Sequence, residues 1–105
     1  MDSAVIHSIA TGNGKIFADL CTPVSDLQGF AQVIFSGEFG RYMLEQGMAD
    51  DLYSDAGVRM EVAGCNFSYE KRKAYAEGYA QILNFYGVRA TTDAQVLEDD
   101  FDDED

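Results

Sequence analysis

The stretch SAVIHSIATGNGKIFADL, Ser3 to Leu20, decides how the fold is read. Val5, Ile6 and Ile9 are β-branched, and Ser3–Ala10 reads as a strand. Thr11-Gly12-Asn13-Gly14 follows, a cluster that tolerates positive φ and favours a tight turn. Lys15–Leu20 then returns as a second strand, completing an N-terminal β-hairpin. The Gly-Asn-Gly-Lys run is not a phosphate loop. It lacks the four-residue spacer and the hydroxyl after the lysine.

Working outward, Thr22-Pro23 carries a capping hydroxyl and a proline suited to a first helical turn. Val24, Leu27, Phe30, Ala31 and Ile34 share one face at 100° per residue, with Ser25, Gln28 and Gln32 opposite. A helix ending near Ser36-Gly37 is expected. A second, Glu38–Gln46, turns Phe39, Tyr42 and Met43 inward and stops at Gly47. Met48–Gly57 reads as irregular or a single helical turn. Val58–Val62 alternates, with Val58, Met60 and Val62 to one side, and reads as a half-buried strand.

Asn66 or Ser68 caps the longest helix, Tyr69–Tyr86, which Gly87 ends. Its apolar stripe is Tyr75, Ala76, Tyr79, Ile82, Leu83 and Tyr86. Phe85 lies off that stripe, as a packing or interface residue. A short extended piece, Val88–Ala90, and one helical turn, Asp93–Leu97, complete residues 1–97. The expectation is a single two-layer α+β domain in the order ββααβα, a three-stranded sheet packed by two or three helices. Residues 98–105, EDDFDDED, are expected to form a disordered acidic tail.

The formal net charge of the 105-residue chain is −12, and seven of its 19 acids lie in that tail. Residues 1–97 keep 12 acids against seven bases, a balance of −5. Acids crowded at one end argue against salt adaptation, which would spread them evenly. A charge of −12 repels phosphates within a Debye length of about 8–10 Å. Direct binding to nucleic acid or to an anionic membrane is therefore not expected, and basic proteins are the favoured partners. No secretory signal and no 18-residue apolar run is present, so a cytoplasmic location is expected.

Cys21 and Cys65 read most simply as buried free thiols, with a disulfide between them as the alternative. With the lone His7 they lack the paired short spacings of a structural zinc site, and no cofactor or metal is expected. Nothing in the sequence places a thiol beside His7 as an activated nucleophile, so the chain reads as a non-enzyme. In Glu70-Lys71-Arg72-Lys73, Lys73 is flanked by Glu70 and Glu77 at helical spacing. Arg72 can cover core with its stem. Lys71 alone has no role, and it is a candidate dock for the tail.

Two acidic segments remain. Glu38, Glu45, Asp50, Asp51 and Asp55 stand against one base, Arg41, over residues 38–55. In the tail, Asp99, Asp100, Asp102 and Asp103 flank Phe101. A carboxylate array can occupy a groove built for phosphates, with the aromatic filling a stacking site. By size, acidic segment and tail, the chain resembles small acidic inhibitors encoded by phages and mobile elements, the DNA-mimic anti-restriction and anti-CRISPR proteins. That resemblance implies an inhibitor acting in a host cytoplasm, by steric block of a basic nucleic-acid-binding protein. The alternative expectation is a small assembly protein, homodimeric through Phe85 and helix 38–46, with a solubilising tail.

Overall fold

The computed structural model describes residues 2–22, 28–51, 57–62 and 68–96. The chain is α+β, with the order αβαββαβ in place of ββααβα. Its elements are α1 (Ser3–Leu20), β1 (Gly29–Phe35), α2 (Gly37–Glu45), β2 (Asp50–Asp51), β3 (Val58–Glu61), α3 (Tyr69–Phe85) and β4 (Ala90–Val96). The sheet has four strands, not three, in the order β2-β3-β1-β4, and every pairing is antiparallel.

The expected N-terminal hairpin is one 18-residue helix. Asp2 caps it, its Oδ1 accepting from the Ala4 amide at 3.2 Å. Ile6, Ala10, Gly14 and Ala18 recur every fourth residue and form its buried face. Neither Gly12 nor Gly14 adopts a positive φ. Two interior glycines cost a helix about 1 kcal/mol each relative to alanine. What offsets that cost at Gly14 is packing against α3.

A Cβ at Gly14 would lie 3.0 Å from both the ring and the carbonyl of Tyr75. One at Gly78 would lie 2.8 Å from Phe17 Cγ and 2.9 Å from the Asn13 carbonyl. Each helix thus contributes a glycine where the other comes closest. Asn13, expected in a turn, instead donates from Nδ2 to the Gly78 carbonyl at 2.8 Å and to Gln81 Oε1 at 3.2 Å. The turn-like tetrapeptide is a helix-packing seam.

The helix expected over Val24–Ile34 is replaced, over Gly29–Phe35, by a strand with strictly alternating burial. Its helix-start signal at Thr22-Pro23 extends outside the described residues. Ala31, Val33 and Phe35 face the core, while Phe30, Gln32 and Ile34 are half-buried on the other side. As an inner strand, β1 hydrogen-bonds to neighbours on both sides, which a helix could not do. The single helical turn expected at Asp93–Leu97 is β4, paired with β1 from Ala90 opposite Phe35 to Val96 opposite Gly29. Gln32 Nε2 donates across that pairing to Asp93 Oδ2 at 3.1 Å. Met48–Gly57 supplies β2, a two-residue edge strand.

Helix α2, strand β3 and helix α3 lie where the sequence puts them. Gly47 and Gly87 end the two helices with φ of +72° and +86°. The following amides close each end, Met48 N donating to Met43 O at 2.9 Å and Val88 N to Leu83 O at 2.8 Å. Ser68 caps α3, its Oγ accepting from the Lys71 amide at 3.2 Å. The core unites Ile6 and Ala10, Phe39 and Met43, Ala76, Tyr79 and Leu83 with Val33, Phe35, Val58 and Met60. Those strand residues share one sheet face, so the helices form one layer and the sheet the other.

Candidate functional site

Glu38, Arg41 and Glu45 are all exposed on α2. Spacings of three and four residues place them on one side of the helix, with the guanidinium between the two carboxylates. That side is an interleaved charge array instead of a bare row of acids. Asp50 and Asp51, also exposed, occupy the edge strand. Consecutive strand residues project to opposite faces. Asp50 opposes Arg59, which is exposed on the open sheet face, and Asp51 opposes Val58, which is buried beneath the helices.

Asp50 and Asp51 thus split across the β2 edge, and Glu45 ends the helix that leads into it, while Glu38, at the other end of α2, lines a recess with Ser3, Tyr86, Val88 and Arg89. Arg59 stands opposite Asp50 in the sheet register, and Arg41 shares the side of α2 that carries Glu38 and Glu45. Asp55, Asp99, Asp100, Phe101, Asp102 and Asp103 lie outside the described residues, as does Cys65.

Lys71, the candidate tail dock, has another role. Its Nζ donates to the Ala18 carbonyl at 2.7 Å and to the Cys21 carbonyl at 3.1 Å. Those are terminal carbonyls of α1, whose own last turn carries no base. An ammonium there adds a donor to the carbonyls at the helix end and opposes the negative end of the helix dipole. Cys21 is a free thiol and half-buried, more accessible than expected.

His7, expected on a strand, lies on α1 with Nδ1 2.7 Å from the Tyr79 hydroxyl. Burial lowers the His7 pKa from its ordinary 6.5, which favours the neutral ring. Burial first, then the neighbouring Tyr75 and Tyr42, pushes the Tyr79 phenol far above its ordinary value. Tyr79 accordingly keeps its proton, and the two neutral groups share one hydrogen bond whose donor is set by the imidazole tautomer.

Beside it a cavity of about 370 Å³ is lined by His7, Lys15, Met60, Glu61 and Tyr75 among others. Its polar groups belong to three separate elements, α1, β3 and α3. Among the described residues no group of three or more His, Cys, Asp or Glu is placed to hold a metal ion. Nor is any helix among them long and apolar enough to cross a membrane.

No protein-family model, curated protein or solved structure matches the chain. The functional reading therefore rests on geometry alone.

One surface has no counterpart in the sequence reading. Val5, Ile9, Ile16 and Leu20 of α1 are exposed by 43%, 37%, 55% and 77%. At 100° per residue all four fall within an arc of about 60°, on the side of α1 turned away from its buried face. Phe85, at 76%, is the most exposed large apolar residue of α3. Once 3–20 is read as a helix, the spacing 5, 9, 16, 20 marks this stripe. A hairpin reading hides it.

Proposed function

We propose that the chain is a non-enzymatic binding protein whose acidic rim occupies a basic, nucleic-acid-binding face of a partner protein and blocks it sterically. The observation that supports this most is the exposure of Glu45, Asp50 and Asp51 at the end of α2 and on the edge strand that follows it, with Glu38 exposed at the other end of the same helix. Carboxylates split across a sheet edge suit insertion into a groove better than apposition to a flat surface. The seven carboxylates of residues 98–105 add a second acidic segment. Anti-defence inhibition in a host cytoplasm, as a DNA mimic, is the biological setting this reading favours.

Capture from a host lysate followed by stepped salt elution tests it. The expected partner is a nucleic-acid-binding protein that elutes at moderate salt and is displaced by excess duplex DNA. Neutralising Asp50, Asp51 and Asp55 to Asn weakens capture strongly. Neutralising Glu38 and Glu45 to Gln weakens it less, because Arg41 already stands between them. Capture that is indifferent to salt and to duplex DNA would sink the proposal.

A second reading, a small homodimeric assembly protein, draws on the exposed stripe of α1. Helix 38–46, the contact expected from sequence, fits that role poorly, since Phe39 and Met43 are buried in the core.

A further inference from the structure

We infer that the outer face of α1 is a self-association surface, on which a second copy of the chain docks its own α1 in antiparallel orientation. The inference is independent of the acidic rim and its partner.

The spacing of the stripe carries the orientation. Val5, Ile9, Ile16 and Leu20 are separated by four, seven and four residues, the same read from either end. A two-fold axis passing between Gly12 and Asn13 sets Val5 of one copy over Leu20 of the other, and Ile9 over Ile16. That is the self-complementarity an isologous interface requires. A parallel arrangement would leave each residue facing its own counterpart, without using the palindrome.

The centre of the stripe is open. Gly12 lies between Ile9 and Ile16, and a Cβ built there meets nothing within 4 Å. It therefore has no packing role among the described residues, unlike Gly14 two residues on. A glycine at this point lets a second helix backbone approach closely at the crossing.

Charge selects the same face. Within Ser3–Leu20 only Lys15 and Asp19 are charged at neutral pH, and they cancel, in a chain of net charge −12. Two such chains repel through most of their surface and meet most readily where charge is absent, as the cores of interfaces generally require. Area is sufficient for a weak dimer. Helices α1 and α3 run antiparallel, because Lys71 reaches Ala18 while His7 meets Tyr79. Phe85 therefore lies at the Val5 end of the helical layer. With aromatic side chains offering 150–250 Å² and aliphatic ones somewhat less, these exposures amount to roughly 500 Å² per copy. Two copies that covered all of it would bury about 1,000 Å², below the about 1,200–2,000 Å² of stable complexes and at the threshold for a weak dimer.

The test uses the full chain. Sedimentation velocity should show a species of twice the 11.6 kDa protomer mass at micromolar concentration. Ile9→Asp together with Ile16→Asp should return it to one protomer mass with its helical circular dichroism unchanged. Orientation is read separately, by a short bis-maleimide linker in a Cys21→Ser/Cys65→Ser background. Gly12→Cys should link to its counterpart in high yield. Val5→Cys should not, since the two copies of that position would lie about 22 Å apart at 1.5 Å per residue. A protomer-mass species at every concentration overturns the inference. So does a dimer that survives the double aspartate variant, or one that Val5→Cys links and Gly12→Cys does not.

Discussion

The two sides of α1 use similar residues for different ends. Inward, Ile6, Ala10, Gly14 and Ala18 are almost wholly buried against α3 and the core. Outward, Val5, Ile9, Gly12, Ile16 and Leu20 meet solvent. Gly12 and Gly14 make the contrast sharpest, since they are two residues apart in one helix. At Gly14 the space a side chain would need is taken by Tyr75, whereas at Gly12 it is empty. A glycine inside a helix is thus informative only once its surroundings are known. The inward one is required by this chain's own packing, and the outward one by nothing among the described residues.

The largest effect should come from filling the inner seam. Gly78→Val places atoms where Phe17 and the Asn13 backbone already stand, so α1 and α3 must part. A loss of about 3 kcal/mol or more in urea unfolding is expected. If the loss is below about 1 kcal/mol, the close approach of the helices is not what holds them. Gly14→Ala should cost about 1–2 kcal/mol, the clash with Tyr75 outweighing the gain in helix propensity.

At the end of the same seam, Lys71→Met leaves the Ala18 and Cys21 carbonyls without their cation. A loss of about 1 kcal/mol is expected. Deleting residues 98–105 should leave the unfolding midpoint near that of the full chain, because Lys71 is engaged by α1. A pH-gated difference comes from His7. Its folded pKa lies below its ordinary 6.5, so the unfolded chain takes up the proton first. The stability it contributes is complete above pH 6.5 and is lost as pH falls through the folded value. Between pH 7 and 5.5 the wild-type midpoint should drop, while that of His7→Gln should stay flat. The smallest change has the opposite sign. Gly12→Ala should stabilise the isolated protomer by up to about 1 kcal/mol. Measured side by side at concentrations too low for association, Gly12→Ala and Gly14→Ala should move the midpoint in opposite directions.

Helices α2 and α3 and strand β3 are legible in the sequence because local and global signals agree there. Apolar periodicity, a capping Ser68 and the stops at Gly47 and Gly87 all point one way. Residues 3–20 are not legible, because Thr-Gly-Asn-Gly prefers a turn by itself and the reward for a helix lies 65 residues away, at Gly78. The stretch Phe30–Phe35 fits both periods. Phe30, Ala31 and Ile34 recur as on a helix face, while Ala31, Val33 and Phe35 alternate as on a strand. Pairing with β3 and β4 decides between them, and pairing cannot be seen from one segment. β4 carries few large apolar residues and gains its order from β1.

The candidate site divides similarly. Exposure of Glu38, Glu45, Asp50 and Asp51 follows from their polarity. The splitting of Asp50 from Asp51, and the opposition of Asp50 to Arg59, depend on strand register. The apolar stripe of α1 is invisible until that segment is known to be helical.

At the centre of the account is an α1 with two working faces, one holding α3 and one receiving a second copy. Sedimentation equilibrium of the full chain over a salt series tests this most directly. The two faces that meet are apolar and neutral while each chain carries a net charge of −12, so salt screens repulsion without weakening the contact. The expected result is a dimer whose dissociation constant falls as salt rises, opposite to the salt response of the acidic rim towards a basic partner. A mass of one protomer at every salt concentration, or a dimer that salt dissociates, would contradict it.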